Sequence, residues 1–364
     1  MAKNMWRKIG RVLGAIFGWG VVLAYILFAQ TLAQKHRSEQ KVTDIVVSMP
    51  DSTEMRRFAS SEQMLKRLKN SGLKIEKQLV DSVDAVKISE YIARSGFVRD
   101  ADVYVTYSGE VHIDIRQHQP ILRLLCGGLN SYITKEGEVF RSPKGAAYYA
   151  SVVTGNYVPH FPRNYEGNAL AHYDKLLGNE NDKLAKIGAE FASLKRKQSE
   201  CNRRKHELKK DSRRPKWRSK EKHNRLMVSI TKEMQECEAE LLSLKARNAQ
   251  LKKRQQAVEK RRWKLYEKRT DFANLIDFVS EVGEDSFWSA EVVQFVADTT
   301  STGEISLRLI PRSGDFIIEF GTLANSDEKL EKLHKFYDKG LSRIGWEHCK
   351  VVDVRYDKQV ICTK

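Results

Sequence analysis

Signatures of catalysis are missing from this chain. There is no G-x-x-x-x-G-K-[ST], no G-x-G-x-x-G opening a helix, no H-E-x-x-H and no G-x-S-x-G, which excludes the common nucleotide-binding, metalloprotease and hydrolase sites. Ser71-Gly72-Leu73-Lys74 and Ser219-Lys220-Glu221-Lys222 fit the S-x-x-K of penicillin-binding enzymes, but no K-T-G or S-D-N completes either site. In so lysine-rich a chain both read as chance. Cysteine is scarce: Cys126, Cys201, Cys237, Cys349 and Cys362 are odd in number and show no C-x-x-C spacing. That argues against a zinc ribbon and against a disulfide scaffold, and the five read as buried thiols. His112 and His118 lie near one expected strand with no further ligands at metal-binding spacing, so they read as exposed or hydrogen-bonded side chains. The expectation is a non-enzyme with no cofactor and no metal. A wholly disordered chain is excluded too, because 41% of the 364 residues are hydrophobic.

One segment is short of acid. Lys183 to Thr270 holds 29 basic and 11 acidic residues, a net +18, whereas the rest of the chain has 35 basic and 36 acidic, a net −1. The whole formal charge of +17 therefore belongs to that segment. Near the N-terminus charge of either sign is absent: the uncharged run Val12–Gln34 is 23 residues, ~34 Å as a helix against a hydrocarbon core of ~30 Å. Lys3, Arg7, Lys8 and Arg11 precede it without an acidic residue, so the positive-inside rule keeps residues 1–11 cytoplasmic and places the bulk of the chain outside. The apolar run exceeds the ~7 to 15 residues of a signal-peptide core, and it reads as a retained single-pass anchor. Gly10, Gly14 and Gly18 share one face of that helix, which fits close helix packing as well as ordinary glycine usage in membranes.

After a linker at 35–41, periodicity predicts a strand at Val42–Met49, a helix opened by the capping box Ser60-Ser61-Glu62-Gln63, a second helix at Asp84–Ala93, and two alternating strands around Ala101–Tyr107 and Val111–Ile115. This is a small β-α-α-β-β module over 42–119. Short strands punctuated by glycine follow at 120–165 and resume over 272–364. There a helix is expected at Asn274–Val282, another after Ser326 with Leu330, Leu333, Tyr337 and Leu341 on one face, and a closing pair of strands at Lys350–Arg355 and Gln359–Thr363. Between the two stretches lies a seam stepping by threes and fours. It runs through Leu184, Ile187, Phe191, Leu194, Gln198, Cys201, Lys205 and Leu208, and again from Met227 to Leu265. Pro215 separates the halves. The segment 166–271 thus reads as an antiparallel coiled-coil hairpin inserted into a β-rich domain, and the whole chain as α+β.

The order of tail, single span, β-α-α-β-β module and β module resembles the FtsQ/DivIB family of bacterial cell-division proteins. Ile113-Asp114-Ile115-Arg116 with Gln119-Pro120-Ile121-Leu122-Arg123 resembles the end of that family's POTRA domain, and Tyr132 to Phe140 the opening of its β domain. Phe320-Gly321, Lys329 to Leu333, and Val352-Asp353-Val354-Arg355-Tyr356-Asp357 resemble its late strand, helix and closing strand. The resemblance implies a non-enzymatic scaffold of the inner membrane that binds FtsB and FtsL. The long hairpin departs from the family pattern. An outer-membrane assembly factor with a POTRA-like module and a cell-wall-binding protein are the alternatives.

Two candidate surfaces follow. Gln359, Val360 and Ile361 belong to the last strand, where a sheet edge can accept a partner strand, and the resemblance assigns partner contact to Arg355 and Tyr356. On the hairpin, Lys252, Lys253 and Arg254 are candidates for contact with anionic lipid or cell-wall polymer, with nucleic acid not expected outside the cytoplasm. A solvated lysine-rich face accounts for the same residues equally well.

Overall fold

A computed structural model of the chain describes residues 18–31, 40–50, 57–142, 147–213 and 219–364. Helix α1 covers residues 18–31 with its side chains exposed. The remainder of the expected span Val12–Gln34, the basic residues before it, Gly10, Gly14 and Pro215 lie outside the described residues. Among the described residues no helix is long and apolar enough to cross a membrane.

Contacts divide the chain into two compact units. The first contains β1 (Ile45–Ser48), α2 (Ser61–Lys69), α3 (Ala85–Ala93), β2 (Val98–Val105) and β3 (Val111–Gln117), the expected β-α-α-β-β order. The expected capping box forms: Ser60 Oγ accepts from the Gln63 amide and Gln63 Oε1 accepts from the Ser60 amide at 3.0 Å. Asp84 caps α3 through the Lys87 amide. The strands form a sheet ordered β1-β3-β2, with β1 parallel and β2 antiparallel to β3. Val111, Ile113 and Ile115 alternate inward against Met64, Leu68, Ile88 and Ile92. β2 begins at Val98, ahead of the expected Ala101, because a register slip between Val98 and Asp100 breaks the alternation that marks a strand.

This core recruits residues from further along the chain. Phe58 stacks on Tyr148 at 4.9 Å and meets Tyr132 and Phe140 edge-on, a preferred arrangement for rings. Residues 130–134, 140–142 and 147–150 accordingly belong to the first unit, although sequence order places them in the β-rich part. Buried Gln117 pins the entry to α2, accepting from the Phe58 amide at 2.8 Å and donating to Ala59 O at 3.1 Å. His112 stacks on Tyr104 and lies 3.3 Å from Glu110, and His118 stacks on Phe140.

The second unit is built from β7 (Ser151–Gly155), α4 (Ala169–Asp211), α5 (Lys220–Glu284), a short α6 (Trp288–Glu291), β9 (Val292–Thr299), β10 (Ile305–Pro311), β11 (Ile317–Thr322), α7 (Ser326–Lys335), β12 (Val351–Asp353) and β13 (Ile361–Thr363). Of the strands between the two modules, β4 (Pro120–Cys126), β5 (Ser131–Thr134) and β6 (Glu138–Phe140), the middle one falls in the first unit and the others are divided; β8 (Gly167–Asn168) leads into α4. The strands of the second unit run in the order β13-β12-β11-β10-β9-β7. Phe278, on the last turns of α5, packs on Phe320 at 4.7 Å and on Phe295 at 6.1 Å. On α7 and the wider helical turn after it, Leu330, Leu333, Tyr337 and Leu341 are all buried, as the spacing predicts.

α4 and α5 pair antiparallel. The ion pairs Asp174–Arg269, Glu190–Arg254 and Lys205–Glu238 run up one helix as they run down the other. Each helix buries every seventh residue: Ile187, Leu194 and Cys201 on α4, and Ile230, Cys237, Leu244, Leu251 and Val258 on α5. The other seam column, Met227 to Gln255, is half-buried, since two helices alone can enclose only one column of each. The helix expected at Asn274–Val282 is not separate. It is the last part of the 65-residue α5, because no glycine, proline or cap interrupts the residues from Leu265 to Val282.

Candidate functional site

The closing sheet edge is assembled by β11, β12 and β13. β12 pairs parallel with β11 (Val352 beside Ile318) and antiparallel with β13 (Val352 beside Cys362). β13 ends the sheet order, so its outer backbone groups meet no strand among the described residues. Both strands are three residues long, Val351–Asp353 and Ile361–Thr363, shorter than the expected Lys350–Arg355 and Gln359–Thr363. Val354 N makes the last bond of the β11–β12 pairing, to Glu319 O at 3.1 Å, and the chain then turns over residues 356–358 before β13. No residue from Arg355 to Lys364 is buried.

The edge is nevertheless tied down. Cys349 and Cys362 form a disulfide with Cα atoms 5.3 Å apart, which corrects the expectation of five thiols. Strand pairing brings the two within bridging distance across a separation of 13 residues, and no short spacing announces that in sequence. Cys126, Cys201 and Cys237 are free and buried.

Arg355 leaves the end of β12 and folds back. Its Nε and Nη2 donate to the Asp353 carboxylate, the shortest contact being 2.6 Å, and Nη1 lies 4.0 Å from Glu319. This bidentate pairing holds the buried Asp353 carboxyl below the usual carboxylate range. The stem of Arg355 crosses Gly321, where a Cβ would lie 2.7 Å from Arg355 Cγ and φ is +77°, so only glycine allows the crossing. From α7, Lys332 Nζ donates to Val354 O at 3.1 Å and Tyr356 O at 2.6 Å. Its neighbour Lys329 donates to Thr322 O at 2.6 Å above the Phe320 ring, and burial pushes its ammonium pKa down. The result is a fixed backbone from which the Tyr356 side chain projects, 48% exposed.

Of the residues singled out from sequence, Arg355, Tyr356, Gln359 and Ile361 are exposed and Val360 half-exposed at this edge. Lys252 and Lys253 are exposed on α5 without an ion pair among the described residues, while Arg254 lies 3.7 Å from Glu190 of α4. Sequence reasoning missed Asp353, Gly321, Lys332 and the Cys349–Cys362 bridge as supports of the edge. Only Gly321 carried a local signal, as a glycine ending a strand.

Residues 40–116 match the family model described as POTRA-like domain, and residues 250–363 match that described as FtsQ/DivIB, C-terminal related. No curated protein matches the chain. Fold and matches together define a protein with a POTRA-like domain, a long helix and a β-rich C-terminal region. The chain is thus similar to FtsQ/DivIB proteins over its C-terminal part and to POTRA-like domains over residues 40–116. The C-terminal match opens at residue 250, inside α5, as befits a helix whose last turns are core of the sheet domain.

Proposed function

We propose that the protein is a single-pass scaffold of the bacterial inner membrane that holds partner proteins of the division machinery, FtsB and FtsL in the terms of the family resemblance, at its C-terminal sheet edge, with no catalytic step of its own. One observation carries this reading: within the segment that matches the FtsQ/DivIB-related family, the sheet ends in an open strand, β13, beside the exposed Arg355 and Tyr356. An edge strand supplies main-chain hydrogen bonds to an added strand, and arginine and tyrosine are favoured anchors. Arg355→Glu combined with Tyr356→Ala is expected to weaken FtsB capture by about 2 kcal/mol or more. Undiminished capture by a variant with wild-type circular dichroism would remove this edge from the interface.

The proposed topology has residues 1–11 in the cytoplasm, the anchor at Val12–Gln34 and everything later in the periplasm. Two features support it: helix α1 at residues 18–31 carries no charge, and a disulfide fits an oxidising compartment. A cysteine placed at Ser60 should react with a membrane-impermeant maleimide in cells with a permeabilised outer membrane. Labelling only after lysis of the inner membrane would reverse the topology.

A further inference from the structure

Two groups stand out among the cations of α5. Arg254, Arg261 and Arg269 turn toward α4, where Glu190, Glu180 and Asp174 lie 3.7, 3.5 and 2.6 Å away. Lys245, Lys252, Lys253 and Lys260 are exposed and have no ion pair among the described residues. No acidic residue occurs from residue 241 to residue 258, so nothing on this stretch of helix neutralises Lys245, Lys252 or Lys253.

Heptad spacing orders the unpaired set. With the buried column at Leu244, Leu251 and Val258, Ala249, Gln256 and Trp263 form an outward column. Lys245 and Lys252 flank it on one side, Lys253 and Lys260 on the other. From Lys245 to Trp263 the track is ~27 Å long. It ends in rings: Trp263 and Tyr266 are 58% and 51% exposed, with centroids 5.8 Å apart. The two carboxylates near that end are engaged within the helix, Glu259 by Gln255 Nε2 at 2.9 Å and Glu267 by the Trp263 indole N–H at 2.6 Å.

We propose that this outward face of α5, from Lys245 to Tyr266, binds a linear acidic glycan, with the lysines on its anionic groups and the ring pair against a sugar face. A narrow track flanked by charge on both sides suits a single polymer chain. A bilayer would need a broad apolar face to insert, and between Leu242 and Trp263 the outward column offers only Ala249 and Gln256. Single-stranded nucleic acid also likes cations beside rings, but the Cys349–Cys362 disulfide fits a compartment without it. The inference does not depend on the partner edge.

The test titrates the full chain, purified in detergent, against polygalacturonate, neutral dextran, phosphatidylglycerol vesicles and an oligo-dT strand at fixed ionic strength. Polygalacturonate should bind most tightly and dextran not at all. Lys252→Glu with Lys253→Glu should weaken polygalacturonate binding at least about tenfold. The matched reversal Lys195→Glu with Lys197→Glu, on exposed residues of α4, should change it less than about twofold. Trp263→Ala should weaken it while leaving the circular dichroism unchanged. Equal losses from the two double reversals would reduce the effect to net charge and overturn the proposal, as would tighter binding of vesicles or oligo-dT, or no effect of any variant.

Discussion

The hairpin and the sheet of the second unit share one helix and are held together in opposite ways. Along the hairpin α5 fully buries one residue in seven, half-buries a second column, and leaves the rest, rich in lysine and arginine, exposed. Over its last turns the same helix buries Phe272, Leu275, Ile276, Phe278, Val279 and Val282, with Phe278 on the rings of β9 and β11. Burial in the hairpin is spread thinly and repeats, so no single side chain decides it. Burial in the sheet is concentrated, and it fades again toward β13, where a covalent bond replaces packing. Stability therefore resides in the middle of the β-rich part, and both candidate surfaces lie where the chain buries little.

Removing rings and methyls would sharpen this contrast most. Phe278→Ala leaves a void between Phe295 and Phe320 and should cost about 3 to 5 kcal/mol, whereas Leu251→Ala in the half-open seam should cost about 2 kcal/mol. Chemical denaturation of the two variants measures the difference, and an equal loss would show the seam to be as well enclosed as the sheet core.

The disulfide comes next. Replacing Cys349 and Cys362 together by alanine should remove about 3 kcal/mol of loop-closure stabilisation. Amide exchange should then rise in Ile361–Thr363, while β9, held by the ring cluster, and β10, paired along it, keep their protection. Exchange that stays slow in β13 would mean that the three-residue ladder holds the edge unaided.

The smallest expected effect is on pH dependence. Arg355 lowers the Asp353 pKa in the folded state, so the pair's contribution is present above the unfolded value of about 3.9 and is lost as pH falls through the lower folded value. Asp353→Asn should abolish that part of the acid limb and leave the seam untouched. Unfolding midpoints followed between pH 5 and pH 2 would show it, and superimposable acid limbs for wild type and variant would place the charge pair outside the stability of the edge.

Much of this was legible in the residues. The capping box at Ser60, the inward alternation of Val111, Ile113 and Ile115, the heptads of both long helices and the buried face of Leu330, Leu333, Tyr337 and Leu341 are local periodicities, and each formed where the pattern put it. The edge position of the last strand was also expected. Its supports were not, because Lys332 acts on carbonyls 22 and 24 residues away and Arg355 lies over a glycine of another strand. Neither relation leaves a period or a spacing to read.

The sequence by itself determined the element types, the seam, the segregation of charge and the family likeness, since these depend on neighbours within a few turns of helix or a few residues of strand. Only the tertiary structure decided that Tyr132, Phe140 and Tyr148 join the first core, that α5 runs unbroken from the hairpin into the sheet, and that Cys349 meets Cys362. The first and last are contacts between residues apart in sequence, fixed by how side chains fill a shared volume and by strand register, and nothing local encodes which distant surface will arrive; the length of α5 is settled by the sheet that packs on its last turns.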